Sequence, residues 1–265
     1  MKPKEVNQRQ FVQSLSRGFS VLEKVCRSET PLSLSELAKK SDLSIGAIQR
    51  LSYTLEKLGL LDRDMRTKRF RAGSRMISLA LTIAGSLELI KVAHPLMQAL
   101  SDEIGEVVGL GALEGDHIIL ADIIHTQQLL NINMNTGALI APHATATGKA
   151  ILAFLPDSRI DQILSLHGLP KLTSNTITSI RSYKKALKQV KACGFATAFD
   201  EVAYGLTTIG APVRNSDGEV AAAMTIMVPT MKIPKEEFVS SFKKKAVHTA
   251  DLISLAMGYR REANQ

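Results

Sequence analysis

Residues 33–59 read SLSELAKKSDLSIGAIQRLSYTLEKLG. Ser33 followed by Glu36 has the spacing of a capping box, in which a hydroxyl and a carboxylate each satisfy a backbone N–H, and it opens a short helix from Leu34 to Lys40. Ser41-Asp42 makes a tight turn. Ser44 can then cap a helix from Ile45 to Leu58, whose Ile48, Leu51, Leu55 and Leu58 form a buried stripe and whose end is marked by Gly59. Upstream, Phe11 to Arg27 places Leu15, Phe19, Leu22, Val25 and Cys26 on one helical face, and Glu29-Thr30-Pro31 breaks it. Downstream, Leu60 to Arg63 and Lys68 to Arg71 flank the polar tip Asp64 to Thr67, a β-hairpin with basic residues at its far edge. Residues 1–73 therefore read as a winged helix-turn-helix domain.

Ser74 to Val92 carries Met76, Leu79, Ala80, Ile83, Leu87 and Ile90 with few polar interruptions, which predicts a linker helix (74–93) packed on more than one face. Its length leaves Leu79, Ile83 and Leu87 without enough local sequence to cover them, so they predict burial against a second copy. From residue 94 the pattern changes. A helix from Pro95 ends at Gly105, Val107 to Leu113 and His117 to Ile124 pair across Glu114-Gly115-Asp116, and helices are expected over Thr145–Leu155, Asp157–His167 and Ser182–Cys193. Thr207 to Val213 and Glu219 to Val228 join through Asn215-Ser216-Asp217-Gly218, and Lys235 to Tyr259 closes as a helix. Meander strands with interspersed helices predict an α+β domain (94–265) with an antiparallel, GAF-like sheet.

Composition narrows the function. The 265 residues suit two domains, and 45% hydrophobic with 22% charged residues is ordinary for a folded soluble chain. The longest apolar stretch, Met76 to Leu87, is interrupted and shorter than the ~20 residues of a membrane span, and residues 1–11 have no apolar core of a signal peptide. A cytoplasmic location without membrane attachment is expected. Cys26 and Cys193 are far apart and the six histidines lack ligand spacing, so no metal or other cofactor is expected and both cysteines read as small core residues. Of 33 Lys/Arg and 25 Asp/Glu, the first 75 residues hold 16 and 8, leaving 17 of each for the remainder. All of the net +8 lies at the N-terminal end, the footprint of a module that meets a polyanion, here double-stranded DNA.

Ser14-Leu15-Ser16-Arg17-Gly18, the Leu34–Ala38 helix, Ile48-Gln49-Arg50-Leu51 and Gly73 before the linker resemble the DNA-binding half of IclR-type transcriptional regulators. The run His143-Ala-Thr-Ala-Thr-Gly-Lys-Ala-Ile-Leu-Ala153, then Leu172-Thr173, Thr176-Ile177-Thr178 and Gly210-Ala211-Pro212-Val213, resemble that family's effector-binding domain in order and spacing. The resemblance spans about residues 11–258. The opening Phe11-Val12-Gln13-Ser14-Leu15 is most similar to the branch that controls aromatic-acid catabolism.

A helix fits the ~12 Å major groove and its first residues reach base edges. Here those are Ser44, Ile45, Gly46, Ala47 and Gln49, with Arg50 one turn in: a small, apolar reading head in which Ile45 or Ala47 meets a thymine methyl and Gln49 or Arg50 supplies hydrogen bonds. The family usually has Lys or Arg at the position of Ile45. Arg50 could instead lie on a solvated face paired with Glu56 or Asp62. Arg17, Ser33, Ser35, Lys68 and Arg69 are the candidate phosphate contacts.

Gly148-Lys149 is not a P-loop, since His143 and Ala150 stand where that motif needs Gly and Ser or Thr. His143 with Asp200 or Glu201 lacks a nucleophile motif, so an enzyme is not expected and His143 reads as a structural hydrogen-bonding residue. Free N–H groups of Thr147, Gly148 and Lys149 at a helix start would make an anion site. The resemblance implies an effector pocket lined by Leu129, Ile132 and Ile140, by Ala146, Thr147 and Gly148, by Ala198, Leu206 and Thr208 on the next strand, and by Thr225 and Met227 on the last. Each of these could equally be ordinary core. The family often has Arg at Thr207 and Ser at Met227, so this pocket is the more apolar one and suits a small carboxylate effector, aromatic rather than dicarboxylic. The expected function is a sequence-specific transcriptional regulator controlled by a small organic acid of a catabolic pathway, acting as a homodimer or tetramer. The competing readings are a DNA-binding protein whose second domain only oligomerises, and an enzyme fused to a DNA-binding module.

Overall fold

A computed structural model describes residues 10–86, 88–126 and 134–260, the side chains of 81–86 and His167 excepted. The chain divides into two compact units, Met1–Ser86 and Leu87–Gln265.

In the first unit, helices α1 (Gln13–Cys26), α2 (Leu34–Ser41) and α3 (Ile45–Lys57) pack with a hairpin of β1 (Leu61–Arg63) and β2 (Phe70–Ala72), followed by α4 (Ser74–Ser86). Val21, Leu22, Val25, Leu37, Ile48, Leu55, Leu61 and Phe70 form the core. The capping box forms as its spacing predicts: the Glu36 N–H donates to the Ser33 hydroxyl and the Ser33 N–H to the Glu36 carboxylate at 2.7 Å. Two expected faces are shifted. The buried stripe of α1 is Gly18, Val21, Leu22 and Val25, which turns Leu15 (61% exposed) and Phe19 (60%) outward. Leu58, just past α3, is exposed as well. Cys26 and Cys193 are exposed rather than core residues, each being the last residue of its helix and off its buried stripe.

The second unit contains α5 (Glu88–Ile104), β3 (Val107–Glu114), β4 (His117–Ile124), β5 (Leu139–Ile140), α6 (Ala146–Leu152), α7 (Asp157–His167), α8 (Ile180–Cys193), β6 (Ala196–Phe199), β7 (Leu206–Arg214), β8 (Val220–Pro229) and α9 (Lys235–Ala256). The six strands form one antiparallel sheet in the order β5-β4-β3-β8-β7-β6. Helices cover both faces. Val108, Leu110, Ile209, Met224 and Ile226 pack with Met97, Phe238 and Ile253 of α5 and α9, whereas Ala196, Ala198 and Ala223 pack with α6, α7 and α8. Burial on two sides explains why β8 is apolar over Val220–Pro229 except at Thr225.

A helix break expected before Pro95 is absent, because α5 runs through it. Pro95 and Lys91 are both exposed, so the carbonyl left unpaired faces water while buried Ala93, Met97 and Leu100 hold the helix to the core. Among the described residues no helix is long and apolar enough to cross a membrane, and no group of His, Cys, Asp and Glu is placed to hold a metal ion.

Candidate nucleic-acid and effector sites

Asp42, in the left-handed region at φ 51°, ends α2 by donating its N–H to the Ala38 carbonyl, and Ser44 starts α3 by accepting the Ala47 N–H at 3.3 Å. This turn leaves Ser44, Ile45, Gly46, Gln49 and Arg50 exposed at the start of α3, with Ala47 half-buried behind them. The Arg50 side chain forms no ion pair among the described residues, and Asp62 pairs instead with Arg71 at 3.8 Å, so neither alternative partner holds it.

The wing carries a correction. Arg69 donates to the Pro31 carbonyl at 2.7 Å and to Glu36 at 2.9 Å, so the guanidinium offered to phosphate clamps the wing onto α2. The same Glu36 completes the capping box, and the Ser33 N–H and hydroxyl hold its carboxyl below the usual range. The Ser33 hydroxyl is thereby committed too, its oxygen to the Glu36 N–H and its proton toward the Glu36 carboxyl. Arg17, Ser35 and Lys68 remain exposed. Sequence reading missed Arg66. At the wing tip the Asp64 carboxylate accepts the Arg66 and Thr67 N–H groups and the Thr67 hydroxyl, which fixes the tip and leaves the Arg66 side chain exposed and free of ion pairs among the described residues. An Asp three residues before a Thr inside a basic hairpin was the available signal.

In the second unit, Leu129 and Ile132 lie outside the described residues. The register sets Gly109, Thr225 and Gly210 side by side on β3, β8 and β7, and Val107, Met227, Thr208 and Ala198 side by side on β3, β8, β7 and β6. Residues two apart share a face. The face so formed is covered by α6, whose Thr147 hydroxyl bonds that of Thr225 at 2.6 Å. The expected lining splits between two clusters: Ile140, Ala146 and Ala198 pack with α6 to α8, whereas Leu206 and Met227 form a small cluster with Val107 and Ile123. Ala198 lies on β6 and not on the strand of Leu206 and Thr208, a short edge strand that periodicity did not separate.

The expected anion site loses two of its three N–H groups, those of Gly148 and Lys149. Thr145 caps α6, its hydroxyl accepting the Gly148 N–H at 3.1 Å and its carbonyl the Lys149 N–H at 3.0 Å. A 3-10 turn, Pro142–Ala144, lies against the helix start so closely that a Cβ on Gly148 would stand 2.0 Å from the Pro142 oxygen. No space for a carboxylate remains at Gly148. His143 holds the structural role expected of it: it is buried, and its Nε2 lies 3.0 Å from the Pro170 carbonyl.

A buried ion pair lies beside this face. Lys149 donates to Glu201 at 2.5 Å and to the Thr197 carbonyl at 3.1 Å, tying α6 to β6 and to the turn after it. Burial pulls the Lys149 ammonium below the ordinary lysine value and pushes the Glu201 carboxyl above its own, each shift opposed by the partner's charge. A lone lysine among the small and apolar residues of Ala146–Leu152 was its sequence signal.

Two family models cover most of the chain: the IclR helix-turn-helix domain matches residues 14–65, and the bacterial transcriptional regulator IclR C-terminal domain matches residues 81–255. The transcriptional repressor IclR of Escherichia coli K12 is 28% identical over 252 residues, 94% of this chain and 92% of that protein. The crystal structure of Thermotoga maritima IclR has a TM-score of 0.72 at 26% identity, covering 93% of this chain and 99% of that one. An IclR homologue from Microbacterium hydrocarbonoxydans, crystallised with 4-hydroxybenzoate, shares the fold at a TM-score of 0.79 and 23% identity, covering 92% of this chain and 98% of that one. An exposed helix start on a basic winged unit, joined to an α+β unit of this topology, is the architecture of regulators rather than of enzymes, and the chain belongs to the IclR family of bacterial transcriptional regulators.

Proposed function

We propose that this DNA-binding regulator acts in the cytoplasm on an operator read by α3, and that the α6-covered face of its second unit takes a small, mainly apolar organic acid that signals the state of a catabolic pathway. Ile45 or Ala47 would meet a thymine methyl, and Gln49 or Arg50 would hydrogen-bond base edges. Arg17, Ser35, Arg66 and Lys68 would hold phosphates. Specific regulators bind with dissociation constants of ~10⁻⁸ to 10⁻¹¹ M, more than one winged helix of this size supplies, so two copies would occupy half-sites. Two apolar surfaces support self-association: Leu15, Phe19 and Leu58 border a groove of about 540 Å³, and Ile77 and Leu79 stand exposed on α4. The family resemblance extends this to tetramers through the second unit.

The observation that carries the ligand reading is a sheet face floored by glycines that carries the hydroxyls of Thr208 and Thr225, with that of Thr147 facing it from α6. In the bonded Thr147–Thr225 pair the accepting hydroxyl keeps its own proton, so with Thr208 the face offers two O–H donors to one carboxylate. The cation beside it, Lys149, is committed to Glu201, so a second carboxylate would be buried unpaired at a cost of several kcal/mol. Aromatic monocarboxylates are therefore favoured over small diacids, and 4-hydroxybenzoate, held by a fold neighbour, is the first probe. A thermal-shift screen tests this, because a ligand at 100 times Kd adds ~2.7 kcal/mol of stability. The competing reading, a second unit that only oligomerises, draws on the near-complete burial of Ala146, Thr147, Ala198 and Leu206, and it predicts no shift with any acid.

A further inference from the structure

Three glycines on the site face differ in what closes the space above them. A side-chain carbon added at Gly111 would come within 2.6 Å of Thr147 Cγ2 and 2.9 Å of Ile118 Cγ2, both on β-branched residues with little rotamer freedom. One added at Gly210 would meet the Ala146 backbone at 3.1 Å. One added at Gly109 would lie 2.7 Å from Met227 Cε, the far end of an unbranched side chain with three rotatable bonds. The first two spaces are closed by parts that cannot yield, the third by a part that can.

Met227 also stands apart from the two large cores. Its cluster holds Val107, Ile123 and Leu206, with Met134 and Val202 partly buried against it, so two of its six members are methionines. On the neighbouring strand Met227 pairs directly with Thr208, which places an O–H donor beside the movable side chain.

We propose that Met227 is the deformable wall of the effector site: its terminal methyl occupies the space above Gly109 that the apolar body of a ring-sized acid takes, and its length sets the largest ligand admitted. The ligand enters by rotation of Met227 without movement of the sheet, and the displaced thioether then lies against the aromatic edge, a favourable contact. The inference rests on the effector reading above and adds which residue decides ligand size.

Calorimetric titration of the full chain with propionate, benzoate and 2-naphthoate tests it. Met227→Ala is expected to bind 2-naphthoate at least tenfold more tightly than the wild type does, with propionate unchanged. Gly109→Ala, whose new methyl claims the same space, is expected to weaken benzoate at least tenfold, and the double variant Gly109→Ala/Met227→Ala to restore it. Met227→Leu, of similar volume but branched and stiffer, provides a second reading should the alanine variant not fold, with benzoate and 2-naphthoate both weakened. Benzoate binding by the wild type with an unchanged ratio of 2-naphthoate to benzoate affinity in the Met227 variants overturns this inference alone. Failure of wild type and variants to bind any of the three acids overturns the effector reading, and the inference with it.

Discussion

Replacing Lys149 with methionine removes one member of a buried ion pair while keeping the side chain's length. Lys149 and Glu201 side chains are 4% and 10% exposed, and Glu201 Oε2 has no hydrogen-bond partner among the described residues, so the carboxylate left behind keeps only the weaker support of the Phe199 backbone and the Lys235 charge. Breaking such a pair costs ~3 to 5 kcal/mol, and at ~2 to 4 °C per kcal/mol for a unit of this size the melting temperature falls by ~6 to 20 °C. The deficit depends on pH. Burial already pushes the Glu201 carboxyl up, and loss of the ammonium pushes it further. A raised folded-state value contributes stability below the unfolded value of ~4.3 and loses it as pH climbs through the raised one, so the deficit grows from pH 5 to pH 8. Because burial is the largest cause of both wild-type shifts, Lys149→Met/Glu201→Leu should regain most of the loss. Thermal unfolding at both pH values measures this. A Lys149→Met deficit below ~1 kcal/mol and equal at pH 5 and pH 8, the behaviour of a surface pair, would refute the reasoning.

Gly148→Ala should destabilise by ~3 kcal/mol, the upper end of the usual overpacking range, because the methyl meets the Pro142 backbone at 2.0 Å; near-wild-type melting would contradict that close approach. Arg50→Ala should cost ~1 to 3 kcal/mol of operator affinity and relax preference at one base pair, whereas Arg66→Ala should weaken all sequences alike and lower the salt slope by about 1; anisotropy titrations at several salt concentrations distinguish them. Phe19→Asp should shift the sedimentation profile toward smaller species and weaken operator binding with it, and an unchanged profile would remove the α1 groove as a self-association surface. A chain beginning at Leu87 should not shift operator DNA, since the net positive charge lies in residues 1–75.

Local rules carried the first unit far. The capping box, the turn at Asp42 and the hairpin followed from residue spacing, because the first two are decided by hydrogen bonds within four residues and the third by strand pairings at most eleven residues apart. What periodicity misplaced was the rotation of α1: Leu15 and Phe19 sit at correct helical spacing, yet tertiary packing chose the neighbouring stripe through Val21. In the second unit Thr147, Thr208, Thr225, Gly210 and Met227 of the site face could be collected from the family resemblance, but Gly109 and Gly111 could not, and the closeness of all of them depends on strand pairings between residues more than 100 positions apart, such as Val107 with Met227. The curtailed anion site has the same origin. Whether α6 presents free N–H groups is decided by the Thr145 hydroxyl and by the 3-10 turn before it, neither of which leaves a mark in helical periodicity.

Selection of duplex sequences from a random pool by the full chain, followed by anisotropy titration of the enriched sequence with and without 4-hydroxybenzoate or benzoate, bears on both halves of the molecule at once. An inverted repeat with half-sites a helical turn of ~34 Å or a multiple apart is expected, with affinity that falls steeply with salt and changes about 5- to 150-fold when an aromatic acid is added. No enriched sequence would contradict the reading of α3, and an affinity that stays constant with every acid tested would contradict the reading of the α6 face.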